Sequence, residues 1–173
     1  MNTIVIYNSK TGFTEKYAMW LKEALGAECC ALKDAKKVDF SKYDAVVFGS
    51  WVCAGNLSKK DQLTKRLSGW KDKKVAVFAV GGSPRENPDV DRLLETAIPA
   101  GSPNAKAFYC QGGYNYERMD GMTRAAMKMF AKMLKSKKDA TEDEKKMAEM
   151  VSKSYDITDR RFIEPIVDFI LGR

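Results

Sequence analysis

The sequence predicts an α/β domain: a three-layer α/β/α sandwich around a five-stranded parallel sheet, with a helical extension in its C-terminal third. Three observations lead there. Short apolar runs alternate with stretches of helical periodicity, those runs are apolar along their whole length, and three of them end in glycine turns. A strand that is apolar on both sides is covered on both sides, and helices alternating with parallel strands supply that cover through right-handed crossovers. In such a sheet, ligands bind beyond the carboxyl ends of the strands, where the strand order reverses.

Thr3 to Tyr7 is a β-branched run, and after a polar loop Tyr17, Trp20, Leu21 and Ala24 recur at helical spacing within Phe13 to Leu25. Glu28 to Leu32 forms a second strand, in which the adjacent Cys29 and Cys30 point to opposite faces as small hydrophobes. Ala45 to Phe48 runs into Gly49, Val75 to Val80 into Gly81 and Gly82, and Ala105 to Cys110 into Gly112 and Gly113. Helices are expected over Lys59 to Leu67 and Asp89 to Ala97, the second opened by Pro88 in its first turn. Beyond Gly113 only helices are expected: Met119 to Lys138, Thr141 to Tyr155 behind a capping box of Thr141 and Glu144, and a closing helix over Pro165 to Leu171. Residues 1–173 are thus read as one domain, with 114–155 a helical insertion within it.

A chain of 173 residues can bury a sizeable core, and 45% hydrophobic with 31% charged residues is ordinary for a globular protein. Met1 to Tyr7 has neither a basic start nor a long apolar run, so no signal peptide is expected. No stretch approaches the roughly 20 apolar residues of a bilayer span. The four cysteines have no zinc spacing and are expected to be reduced thiols of a cytoplasmic protein. Histidine is absent, which removes the commonest general base and the usual nucleophile pairs, so any redox or transfer chemistry falls to a cofactor. The net charge of +7 favours an anionic partner. A nucleic acid is not expected, because the basic residues are spread over helix faces among Asp and Glu.

One helix is sharply amphipathic. Met119, Met122, Ala126, Met129, Phe130 and Met133 share one face, and Arg124, Lys128, Lys132 and Lys135 fall on the other. The expected arrangement packs the methionines on the sheet with the lysines in water; the alternative is a basic helix from Met119 to Lys138 in peripheral contact with an acidic membrane or a partner.

The chemistry is concentrated in Ser9-Lys10-Thr11-Gly12-Phe13-Thr14, which joins the first strand to a helix N-terminus. Unpaired N–H groups and the positive end of the helix dipole favour an anion there. Ser9, Thr11 and Thr14 offer hydroxyl donors, and Gly12 lets the backbone approach without a Cβ. The spacing is neither that of a P-loop nor that of a dinucleotide fingerprint.

Ser9, Thr11, Gly12 and Thr14 resemble, position by position, the Ser-x-Thr-Gly-x-Thr phosphate-binding signature of flavodoxins. The resemblance implies a flavodoxin-like fold and bound FMN. It also implies that two further loops hold the flavin ring, here Ser50-Trp51-Val52-Cys53-Ala54-Gly55-Asn56 and Gly81-Gly82-Ser83-Pro84-Arg85. Trp51 either covers a ring face or anchors a strand end, and Cys53 is either a redox partner or a packed thiol. Small flavodoxins are acidic and this chain is basic, so cations such as Lys10 or Arg85 are expected to make its flavin less reducing.

Tyr114-Asn115-Tyr116-Glu117-Arg118-Met119, with the Met- and Lys-rich helix after it, is similar to the insertion of flavodoxin-type, menaquinone-dependent protoporphyrinogen oxidases. The segment Ser50 to Gly55 departs from the arginine- and tyrosine-bearing loop of that group. The expected activity is electron transfer between FMN and a small molecule, a quinone or an acidic protein. A simple electron carrier and a flavin-free binding module are the alternatives.

Overall fold

The β-branched and apolar runs become strands, and their side chains divide between two cores. The computed structural model describes residues 1–173, the side chain of Asp143 excepted. In order along the chain come β1 (Thr3–Asn8), α1 (Phe13–Leu25), β2 (Glu28–Ala31), β3 (Ala45–Cys53), β4 (Asn56–Leu57), α2 (Lys60–Leu67), β5 (Lys74–Gly81) and α3 (Pro88–Ala97). They are followed by β6 (Ala105–Gln111), β7 (Gly113–Tyr114), α4 (Gly121–Lys135), α5 (Glu142–Met150), β8 (Tyr155–Asp156) and α6 (Glu164–Leu171).

Five strands pair in parallel in the order β2-β1-β3-β5-β6. From β1 the chain moves outward to β2 and then returns to lay β3 on the other side of β1, so the order reverses between β1 and β3. Alternate residues face opposite layers. Ile4, Ile6, Phe48 and Val77 pack with Leu63 of α2 and Leu93 of α3, whereas Val5, Val47 and Phe78 pack with Tyr17 and Leu21 of α1 and with Ile166 and Ile170 of α6. Cys30 joins the first cluster and Cys29 the second, and burial pushes the Cys29 thiol up to about 11.

Gly49 lies opposite Phe78 in the ladder, and a Cβ on it would overlap the Phe78 ring. The glycine that ends the apolar run is therefore a packing requirement inside β3. The strand continues to Cys53 and reverses at Ala54 (φ 47°) and Gly55 (φ 74°) to pair Cys53 with Asn56. Hence Ser50 to Asn56, expected as a loop, is strand plus a two-residue hairpin turn.

The C-terminal third differs from expectation in two ways. First, the helix begun at Thr141 ends at Met150, and β8 returns to pair antiparallel with β7. Two-residue strands are too short for any periodicity to announce them. Second, the methionines of α4 do not pack on the sheet. Met122, Met129 and Met133 are exposed, and the helix instead packs against α5, burying Ala131. Met127 and Leu134 lie on that side too, half-buried. The helix has two apolar stripes, and the one bearing the small Ala131 admits a close neighbour. Thr141 and Glu144 form the expected capping box at the start of α5.

Polar bonds hold this insertion to the sandwich. Lys10 pairs with Asp120 at 2.8 Å and Lys16 with Asp156 at 2.8 Å, while inside the insertion the Tyr116 hydroxyl donates to the Val151 carbonyl and the Ser154 hydroxyl to Glu117. The bond from Lys10, together with those from the Thr123 N–H and hydroxyl, holds the Asp120 carboxyl far below its ordinary 3.8. Burial opposes the charged form of Asp156, but Lys16 and Thr158 outweigh it and hold that carboxyl low as well. Both groups favour the folded form above their ordinary values near 3.8, and that contribution is lost as pH falls through the lowered ones. Amide-exchange protection of residues 113–156, corrected for intrinsic rates, is therefore expected to fall on acidification below pH 3.8, before that of β1, β3 and β5. Simultaneous loss in both regions would refute this.

Candidate functional site

At the carboxyl end of β1 the chain must turn from a central strand into α1 within a few residues, and Gly12 makes this possible with φ 102° as the N-cap residue. No side chain caps α1. Its first turn therefore offers N–H groups that the protein leaves open, at the positive end of a 13-residue helix. The Ser9 hydroxyl accepts from the Gly12 N–H at 3.1 Å, which fixes the loop, and Thr14 is buried within the first turn. The loop sits at the point where the sheet order reverses.

Cations gather on it. Lys10 Nζ donates to Asp120 and, at 2.6 Å, to the Thr123 hydroxyl, and it stands 5.5 Å from the centre of the Trp51 ring. Arg118, carried by a single helical turn over Tyr116–Arg118, lays its guanidinium against Gly12 so closely that a Cβ there would overlap Nη1. Among the described residues the Arg118 side chain has no hydrogen-bond or ion-pair partner. An unpaired guanidinium beside an uncapped helix N-terminus is a site for a dianion such as a phosphate monoester.

The other two predicted segments border the same edge. In the first, the buried Ser50 hydroxyl accepts from the Asn8 side-chain amide at 2.9 Å, so it braces the ends of β1 and β3. Trp51 is half-buried in register with Val80, Val52 pairs with Leu57, and Cys53 is exposed beside the turn at Ala54 and Gly55. In the second, Tyr109 donates to the Ser83 carbonyl at 2.8 Å and Tyr155 to the Gly82 carbonyl at 3.0 Å. A Cβ on Gly82 would lie 2.9 Å from the Tyr114 ring, so Gly82 is roofed by Tyr114 and Tyr155, whose rings meet edge to face at 5.4 Å. Burial raises all three phenols and keeps them neutral donors. Arg85 turns away to pair with Asp91 at 2.8 Å.

The loop from Ser9 to Thr14, Trp51 and the segment at Gly81 and Gly82 are thus brought to one edge, whereas Cys53 stands apart on the hairpin. Beside Phe13 a cavity of about 240 Å³ opens between Tyr114, Asn115, Glu117 and Tyr155. The sequence gives no sign that Tyr109 and Tyr155 belong here. Arg118 stands in a visible run of aromatic and charged residues, but its place over Gly12, more than a hundred residues earlier, is a product of the tertiary fold.

The flavodoxin domain family model matches residues 4–141. No curated protein matches the chain in sequence. Among solved structures, the WrbA-like flavodoxin of Agrobacterium tumefaciens is 24% identical, covering 72% of this chain and 89% of its own, with a TM-score of 0.51. The Trp repressor binding protein of Bacillus subtilis is 19% identical over 80% of this chain and 99% of its own, with a TM-score of 0.49. Flavodoxin 2 of Bacillus cereus is 20% identical, covering 64% and 84%, with a TM-score of 0.47. At 24% identity the first of these likenesses speaks for the fold alone. With the family match spanning most of the sequence, and the strand order and first loop as described, the chain belongs to the flavodoxin domain family.

Proposed function

We propose that this protein binds FMN and works as an oxidoreductase on a small molecule or quinone. The observation that carries the reading is the uncapped first turn of α1 behind left-handed Gly12, with Arg118 free beside it. The phosphate of FMN fits that site, held by the N–H groups of the first turn, the hydroxyls of Ser9, Thr11 and Thr14, and the Arg118 guanidinium. The ring belongs beyond it, between Trp51 and the segment at Gly81, Gly82 and Ser83, whose carbonyls accept from the Gly112 N–H and from the Tyr155 and Tyr109 hydroxyls. Bound flavin supplies reversible two-electron chemistry, which suits a chain without histidine.

An enzyme is favoured over an electron carrier because Tyr114 and Tyr155 cover Gly82, and a covered edge suits a small molecule better than a docking protein. A porphyrinogen is the substrate that the likeness of Tyr114 to Met119 suggests. A cleft of about 390 Å³ bordered by Tyr116, Glu117, Arg124, Lys128 and Lys153 offers three cations against one acid for its carboxylates.

The purified protein should show the visible bands of flavin and release a molecule of the mass of FMN; a colourless protein that takes up no FMN would leave the binding-module alternative. Anaerobic assays with protoporphyrinogen, menaquinone analogues and ferredoxin separate oxidase from carrier. Arg118→Gln is expected to weaken FMN binding about tenfold, near 1.4 kcal/mol, and to leave riboflavin binding unchanged. Equal loss for both ligands would remove Arg118 from the phosphate site.

A further inference from the structure

The side of α4 turned to water carries Met122, Met129 and Met133 at 85%, 74% and 58% exposure, with Phe130 at 39%. The three methionines fall within one narrow stripe of the helix, with Ala125 and Ala126 between them and Phe130 at its margin. Exposed large apolar side chains gathered on one face mark a contact surface. Its occupant is indicated by charge. Residues 121–138 hold Arg124, Lys128, Lys132, Lys135, Lys137 and Lys138 and no acidic residue. Lys128, Lys132 and Lys135 run along one flank of the stripe, and among the described residues neither they nor Lys138 have an acidic partner.

We propose that α4 lies on the surface of an anionic lipid bilayer, with its methionines and Phe130 at the acyl boundary and its lysines among the headgroups. A second copy of the chain would bring two such unpaired lysine rows together with no acid between them. Flexible methionines suit a disordered apolar boundary, and lysine stems reach from such a boundary to headgroup charge. No helix among the described residues is long and apolar enough to cross a membrane, so the contact is a helix of about 22 Å lying in the interface plane.

The position of α4 gives the contact a purpose. Its N-cap is Asp120, the carboxylate that pairs with Lys10 of the phosphate loop. Docking would bring the rim of the candidate site to the bilayer, where a quinone is dissolved. That consequence rests on the proposed flavin chemistry, whereas the docking itself does not.

Co-sedimentation of the full chain with vesicles tests it, comparing phosphatidylcholine alone with mixtures containing phosphatidylglycerol. Binding is expected only to the anionic vesicles and to weaken with salt. Each lysine removed among Lys128, Lys132 and Lys135 should cost about fivefold, so Lys128→Gln with Lys132→Gln and Lys135→Gln should lose about a hundredfold. Met122→Ser with Met129→Ser and Met133→Ser should lose at least about tenfold. These side chains are exposed, so circular dichroism and flavin content should match the parent, and flavin content reports separately on the cofactor. No binding to anionic vesicles, or binding untouched by both sets of changes, would overturn the proposal. So would a vesicle-free dimer that the methionine changes dissociate, since the face would then belong to a second copy.

Discussion

Replacing Thr11 and Thr14 together by alanine is expected to lower FMN affinity by about 10²- to 10⁴-fold while leaving riboflavin affinity within about threefold. A hydrogen bond to a charged group contributes about 1.5 to 3 kcal/mol, and two hydroxyls aimed at one phosphate give about 3 to 6 kcal/mol. Riboflavin has the same ring and no phosphate, so it isolates the loop from the ring site. The geometry makes the experiment sharp. Thr14 is buried in the first turn of α1 and Thr11 immediately precedes left-handed Gly12, so both flank the turn that exposes the N–H groups, and both substitutions keep Gly12 itself in place. Quenching of flavin fluorescence reads both affinities. An equal fall for the two ligands would place the phosphate elsewhere.

The second large effect lies in the sheet. Phe78→Ala should destabilise the apoprotein by about 3 to 5 kcal/mol through the cavity it leaves, and Gly49→Ala by about 1 to 3 kcal/mol by driving a methyl group into the Phe78 ring. The two costs should not add, because the Gly49 substitution loses its clash once the ring is gone. Urea unfolding of the four proteins without flavin measures this, and strict additivity would mean that Gly49 is glycine for some other reason.

The sandwich was legible in the sequence because parallel strands covered on both faces are apolar throughout, as Ala45 to Phe48 and Val75 to Val80 are between stretches of helical periodicity. The turn from β1 into α1 was legible because its signals are local: hydroxyls, glycine and a helix start lie within six residues. Two things were not. The insertion's packing was misread because α4 has two apolar stripes and periodicity does not say which one finds a neighbour; the small Ala131 decided it. The cover of the site was hidden because Arg118, Tyr114 and Tyr155 reach Gly12 and Gly82 across sequence distances that no spacing rule spans. Nor did the sequence show how the nearby cations are paired. Lys10 and Arg85 are engaged by Asp120 and Asp91, which leaves Arg118 as the unpaired charge at the loop.

The two halves of the core do not close at the same moment of synthesis. The layer of α2 and α3 is complete once β6 has emerged, but the opposite layer has only α1 until Ile166 and Ile170 arrive on α6. A nascent chain already holding every strand of the parallel sheet therefore still presents Phe78 and Phe108 on a half-clad face. For this protein the period between making the last strand and making the last helix is when exposed apolar surface is greatest, and when a chaperone or an aggregating neighbour competes most effectively for the chain.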